Sequence, residues 1–191
     1  MATIVKNKLI KNFFNKKELN IIQKYCDNKF TQTKYYAFDS HSISPQWYDD
    51  PFMTALLDTK LSLVEKESKL KLFPTYAYWR YYIYGGMLPK HIDRPSCEVS
   101  VSVCIKKYSN YDWPIIVEGK KFELNEGDAV LYNGLLQDHW RPGVYKGEGM
   151  AQVFFHYVDK KGNFNHHQYD NYFKTTGKKY KEGELKWKKK Q

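Results

Sequence analysis

No run of this chain is both long and apolar enough to span a bilayer, which argues against a membrane-crossing helix within it. Its first residues are interrupted by Lys6, Lys8 and Lys11 and offer no unbroken apolar core, so a secretory signal peptide is not expected. Cysteine is scarce. Cys26, Cys97 and Cys104 are odd in number and lack metal-finger spacing, which speaks against a disulfide framework and for reduced thiols in a cytosolic protein. There is no internal repeat, and low complexity is confined to the lysine-rich end. The expected location is the cytoplasm, or that of a host cell, since the lysine-, asparagine- and tyrosine-rich composition hints at an AT-rich genome such as a virus carries.

What the chain does have is enough apolar content, 42% of 191 residues, to build one core. A single domain over residues 1–171 is therefore expected, followed by a basic tail at 172–191. Aromatic content of 17%, with 17 tyrosines, suits a sheet-rich, partly polar interior better than a helical bundle. The net charge of +10 is unevenly placed: eight lysines against Glu182 and Glu184 give the tail +6 and leave the body near +4. Lys178–Lys181 and Lys186–Lys190 interleave aromatics with lysines, a pattern suited to phosphate contact with base stacking. A solvated chain end is the plainer reading, and nucleic acid is the lesser expectation for a partner.

Two helices are expected between about 15 and 70. Asn15 and Glu18 read as a capping box, with Leu19, Ile22 and Cys26 on one face. Asp50-Pro51 reads as a second helix start, followed by the stripe Met53, Leu56, Leu57, Lys60, Leu61 and Val64, in which only Lys60 is off-pattern; the helix should end near Leu70. From about 73 to 160 the period shortens to that of strands. Tyr76–Tyr84 is closed by Gly85-Gly86, and His91 opens the next strand. Glu98–Ile105 alternates small polar with β-branched residues, so one face should meet a core and the other something polar. A hairpin around Glu118-Gly119, a turn at Asn125–Gly127 into Asp128–Tyr132, and a final strand Ala151–Val158 complete the pattern. Short strands at regular spacing after two helices indicate a mainly β (α+β) jelly roll buttressed by its N-terminal helices.

The chemistry concentrates at His91-Ile92-Asp93. Two residues apart on an extended strand point the same way, so His91 and Asp93 can converge on one ion. A distant histidine would complete two imidazoles and a carboxylate on one face of a metal, the set associated with non-haem Fe(II) oxygenases.

The order of motifs resembles the Fe(II)/2-oxoglutarate-dependent dioxygenase superfamily, and in particular uncharacterised bacterial and viral members. It is carried by Phe73–Tyr78, Arg80–Tyr82, His91–Ser100 (the H-x-D-R-P-S-C-E text), Trp113–Ile115, Gly127–Tyr132, the His139-Trp140-Arg141 triplet and Gln152–Asp159. The resemblance implies a double-stranded β-helix, cupin-like in form, and metal ligation by His91, Asp93 and His139, with Fe(II), 2-oxoglutarate and O2 as cofactor and co-substrates. His156 is the rival ligand, His166 and His167 are expected in solvent, and His41 has no assignment. Many members carry an Arg or Lys about ten residues beyond the distal histidine to hold the co-substrate's far carboxylate; here Glu148–Gln152 supplies none. Arg141 is the first substitute, with Arg80, Arg94 and Lys106 behind it and Tyr82, Ser100 and Gln152 as neutral partners; a salt bridge is the plainer role for Arg141. The expected reaction is hydroxylation of a C–H bond, with a peptide or protein side chain as first substrate. Trp79, Tyr81, Trp113 and Trp140 could form a stacking rim or simply pack the core. A cupin-like metal or ligand binder without turnover is the non-enzymatic alternative.

Overall fold

A computed structural model describes residues 5–32, 37–39 and 42–169; His41 and the lysine-rich stretch 172–191 lie outside them. The elements run β1 (Lys8–Ile10), α1 (Lys16–Gln32), β2 (Ala37–Asp39), β3 (Ser44–Tyr48), α2 (Pro51–Ser68), β4 (Leu72–Tyr82), a 3-10 turn (Pro95–Cys97), β5 (Val99–Lys107), β6 (Ile115–Val117), β7 (Lys120–Phe122), β8 (Ala129–Tyr132), β9 (His139–Trp140), β10 (Met150–Asp159) and a second 3-10 turn (Asn165–His167). Seven strands pair antiparallel in the order β1-β8-β5-β10-β4-β3-β2, and three in the order β7-β6-β9. The two sheets make the double-stranded β-helix. No described helix is long and apolar enough to cross a membrane, and the three cysteines are buried and free.

Both helix starts follow their capping residues. Asn15 Oδ1 accepts from the amides of Lys17 and Glu18, each at 3.0 Å, and Glu18 returns the bond to the Asn15 amide at 2.9 Å. Asp50 accepts from the Phe52 and Met53 amides ahead of Pro51. Lys60 keeps its place in the α2 stripe because its ammonium reaches both Glu18 oxygens at 2.8 Å and lies 4.8 Å from the Phe14 ring. The apolar stem is thus buried while the charge is met. α2 ends at Ser68, with Lys69 left-handed at φ 62°.

The bounds of β4 depart from expectation. β4 begins at Leu72 rather than Tyr76 and stops at Tyr82, two residues short of Tyr84. Pro74 is tolerated because its register with β10 falls where the ladder is already irregular, between Phe155 and Tyr157. The Glu118-Gly119 hairpin turn has positive φ at both residues, 49° and 73°, as a two-residue turn between right-twisted strands requires.

Alternation divides the large sheet into two faces. Val99, Val101, Val103, Ile105, Ala77, Trp79, Val153 and Phe155 pack outward against Phe13, Phe14, Ile22, Met53, Leu57 and Val64. Ser100, Ser102, Cys104, Gln152, His156, Tyr76, Tyr78, Arg80 and Tyr82 share the opposite parity and line the interior between the sheets. Cys104, Ile115, Val117, Phe122, Leu124, Val130 and Tyr132 close part of that interior with apolar contact.

Asp50 also accepts the Tyr25 hydroxyl and pairs with Lys29 at 3.4 Å, so it joins α1 to the start of α2. Asp50→Ala is expected to lower stability by about 2 kcal/mol, at the upper end for a helix cap, because the Tyr25 hydroxyl is stranded as well; chemical denaturation of the two proteins measures it.

Candidate metal centre

His91 and His139 are each other's backbone partners. The His91 amide donates to the His139 carbonyl at 3.1 Å and the His139 amide to the His91 carbonyl at 2.9 Å. His139 lies on β9, held to β6 opposite Val117. His91 does not open a regular strand, as the sequence suggested; it makes an isolated bridge in a stretch that runs antiparallel to residues 139–144. Asp93 is fixed separately, its amide donating to Gly134 O at 2.8 Å.

This frame brings the three side chains together. His91 Nε2 is 3.6 Å from Asp93 Oδ1, His139 Nε2 is 3.5 Å from Oδ2, and the imidazole centroids are 4.2 Å apart. Each histidine is oriented through its other nitrogen: His91 Nδ1 lies 2.7 Å from Pro89 O and His139 Nδ1 lies 2.9 Å from Gln137 O. A carbonyl only accepts, so Nδ1 carries a proton and Nε2 is the nitrogen that faces Asp93 and that can ligate once unprotonated. Asp93 Oδ2 is buried with no hydrogen-bond partner of normal geometry. Two imidazole lone pairs, a hard carboxylate and a buried unpartnered oxygen form a donor set that fits a divalent first-row metal such as iron.

Electrostatics bind the set tightly. Burial works to raise the Asp93 pKa, but the interactions with His139, His156 and His91 prevail and hold it below the usual carboxylate range. Burial works to lower His139, yet Asp93 beside it raises that imidazole. His91 is lowered, first by burial and then by the charge of His139.

A cavity of about 220 Å³ opens at the three residues and is lined also by Tyr48, Tyr76, Tyr78, Arg80, Leu88, Tyr132, Phe154 and His156. The aromatic wall is therefore not the one considered from the sequence. Trp79, Tyr81 and Trp113 are buried in packing, and Trp140 is partly buried under Lys90, whose ammonium lies 5.2 Å from its ring. Tyr76 and Tyr78 have the inward parity of β4, a signal the strand's alternation already carried; Tyr48 arrives through β3, which pairs Tyr48 with Tyr78.

The co-substrate candidates separate. Lys106 pairs outward with Asp27 at 2.7 Å, which removes it. Arg94 donates to the Tyr48 hydroxyl at 2.7 Å and lies 4.6 Å from the Tyr76 ring. Arg80 is on the cavity wall but is paired with Asp39 at 2.9 Å. Ser100 bonds His156 and the Cys97 carbonyl, so the hydroxyl that meets Gln152 is Ser102, at 2.7 Å. Arg141 is neither on the surface nor in a salt bridge. Its guanidinium is buried, donates to Trp113 O and to Gln152 Oε1 (3.1 Å), and meets no carboxylate among the described residues. Burial lowers its pKa. Tyr82 Oη nearby is buried and unpartnered. Arg141 lines a narrow cleft beside Trp113 and Cys104 rather than the metal cavity itself.

His156 is an interior histidine, with its pKa pushed down to about 4 by burial. His166 is exposed and His167 half-buried, their rings 4.2 Å apart. The residue no sequence reading flagged is Gly134. A Cβ there would meet Asp93 Oδ2 at 2.6 Å, Cys97 O at 2.5 Å and Ser100 Oγ at 2.6 Å, so only glycine lets the carboxylate sit where it does. Nothing local in Asn133-Gly134 reveals this, because the contacts come from distant residues.

Neither a protein-family model nor a curated protein matches the sequence. Solved structures do resemble the fold. The non-haem alpha-ketoglutarate-dependent epimerase SnoN from nogalamycin biosynthesis has a TM-score of 0.67 at 9% identity, covering 81% of this chain and 77% of its own. A Pseudomonas putida prolyl-4-hydroxylase has a TM-score of 0.63 at 12% identity, covering 81% and 93%. HygX from Streptomyces hygroscopicus, solved with nickel, 2-oxoglutarate and hygromycin B, has a TM-score of 0.64 at 13% identity, covering 83% and 84%. At these identities the likeness establishes the double-stranded β-helix.

Gly134→Ala is expected to weaken divalent-metal binding by about ten- to a hundredfold, the usual penalty for disturbing a ligand's support, with the circular dichroism spectrum unchanged. Binding must also displace the proton that Asp93 favours on His139. Affinity should therefore rise with pH across the raised His139 pKa, in metal titrations run between about pH 6 and about pH 8.

Proposed function

We propose that the protein is an Fe(II)- and 2-oxoglutarate-dependent oxygenase that hydroxylates a C–H bond. The observation that carries this is the convergence of the His91 and His139 ring nitrogens on the two oxygens of the Asp93 carboxylate beside a cavity, within the same fold as the similar structures. His91, Asp93 and His139 would hold the iron. When bound, iron would supply activation of O2 coupled to oxidative decarboxylation of 2-oxoglutarate.

The chain's own residues do the rest. Asp93 offsets the charge of the ion, and the Pro89 and Gln137 carbonyls keep both imidazoles in the ligating tautomer. The far carboxylate of 2-oxoglutarate is assigned to Arg141, with Gln152 and Tyr82 as neutral partners. A buried guanidinium without a counter-ion is costly, and an arriving carboxylate relieves that cost. Arg141 follows His139 by two residues on the same extended run, so it lies about 7 Å further along the interior. Arg80, already neutralised by Asp39, is the lesser anchor. Tyr48, Tyr76, Tyr78 and Phe154 form a wall that excludes water and suits an apolar or ring-bearing group. A peptide or protein side chain is the substrate class proposed, supported by the likeness to a prolyl-4-hydroxylase.

Anaerobic titration with Fe(II) and then 2-oxoglutarate should produce the visible metal-to-ligand charge-transfer band in the wild type and none in His139→Ala. Arg141→Gln should keep Fe(II) binding and weaken 2-oxoglutarate by about 30-fold or more, the loss typical of a buried charge pair of about 2 kcal/mol. A larger effect from Arg80→Gln would move the anchor to Arg80. Iron binding without any band would favour a metal-binding cupin that lacks turnover.

A further inference from the structure

The facial triad does not exhaust the ligands around Asp93. One donor atom each from Asp93, Cys97 and His156 also lie within 4.8 Å of one another, the same mutual closeness that marks His91, Asp93 and His139. Cys97 is brought there by the 3-10 turn Pro95–Cys97, which its amide closes on Arg94 O at 2.9 Å. His156 comes from β10, opposite Ser100 of β5.

Ser100 settles which nitrogen of His156 is free. Its hydroxyl oxygen is 3.0 Å from Cys97 O and 2.9 Å from His156 Nδ1. The carbonyl can only accept, so the single hydroxyl proton goes there, and Nδ1 must donate to the serine oxygen. His156 Nε2 therefore keeps its lone pair, the arrangement in which ligand histidines are held by a bond at the opposite nitrogen. The Cys97 thiol is buried and hydrogen-bonded with the Tyr76 hydroxyl at 3.1 Å, so metal binding would have to replace that bond. Asp93 and His156 both line the cavity, which provides the route of entry. Asp93 Oδ2 is buried and makes no hydrogen bond of normal geometry among the described residues, its ring neighbour His139 Nε2 standing 3.5 Å away.

We propose that Asp93, Cys97 and His156 form a second metal position, contiguous with the first through the shared carboxylate and selective for a thiophilic divalent ion such as zinc. A thiolate, an imidazole and a carboxylate leave a fourth, tetrahedral position open to the cavity, the preference of zinc. The first position offers only imidazole and carboxylate, so softness sorts the ions between the two. On binding, the Cys97 S–H bond breaks, the metal–sulfur bond forms and the proton leaves to solvent; no oxidant is required. Because both positions draw on Asp93, zinc in the second weakens iron loading of the first. The inference needs only these ligands and does not depend on the oxygenase reading.

The test is titration of the full-length apo-protein with Co(II) under anaerobic conditions, with zinc as competitor. The expected result is the near-ultraviolet charge-transfer absorption of cobalt–thiolate ligation, appearing with release of a proton, retained in His91→Ala/His139→Ala, lost in Cys97→Ser and His156→Gln, and bleached when zinc displaces the cobalt. Zinc should weaken Fe(II) binding about tenfold or more further in the wild type than in Cys97→Ser, where it competes only at the first position, a difference within the range of a disturbed ligand shell. Cys97→Ser with a native circular dichroism spectrum serves as the folding control. Absence of the thiolate band from the wild type, or its persistence in Cys97→Ser, overturns the proposal.

Discussion

The site depends on one reciprocal pair of backbone hydrogen bonds, between His91 and His139. Residues that exchange both bonds across an antiparallel bridge are held about 5.5 Å apart at Cα. Their imidazoles are then neighbours, with ring centroids 4.2 Å apart. The rest of the centre is fitted to that bridge. β6 holds His139 from the other side, the Gly134 carbonyl holds the Asp93 amide, and backbone carbonyls two residues upstream of each histidine set its tautomer. All of these are main-chain groups or contacts to them. The geometry is consequently as rigid as the sheets, and ligand spacing does not rely on long side chains finding one another.

The same alternation that makes the strands also separates stability from chemistry. On β5 and β10 one parity is apolar and packs on the two helices, while the other is polar and faces between the sheets. Burying Ser100, Ser102, Gln152 and His156 costs free energy unless they are paired, and they pair across the strands: Ser100 with His156, Gln152 with Ser102 and Arg141. Asp93 Oδ2 and Tyr82 Oη are among several buried polar atoms, Trp79 Nε1, Ser96 Oγ and Arg141 Nε included, that make no hydrogen bond among the described residues.

Two buried cations receive opposite treatment. Lys60, on the helix side, is met by both oxygens of Glu18. Arg141, on the barrel side, is met only by a carbonyl and an amide oxygen, and its charge has no counter-ion among the described residues. The charge of Lys60 is thus offset by a carboxylate, while that of Arg141 is met only by neutral oxygens.

The sequence by itself determined the elements that rest on local chemistry. The Asn15–Glu18 capping box, the Asp50-Pro51 start, the Glu118-Gly119 turn and the two-residue period of β5, β8 and β10 were legible because each depends on residues a few positions apart. The trio His91, Asp93 and His139 stood in the sequence as a pattern, and the structure brings the three together with His139 on β9, His91 on a bridge opposite it and Asp93 in the chain just beyond. Tertiary structure alone decided the remainder. Pro74 entered β4 because a ladder irregularity lay opposite it, Trp113 went to packing, Tyr48 was brought beside Tyr78 to complete the wall, and Gly134 became indispensable through Asp93, Cys97 and Ser100. Arg141 proved buried and unpaired, and Cys97 and His156 gathered at Asp93. The physical reason is common to all of these: each depends on which distant backbone lies across the interior, and sheet register, not local propensity, sets that distance.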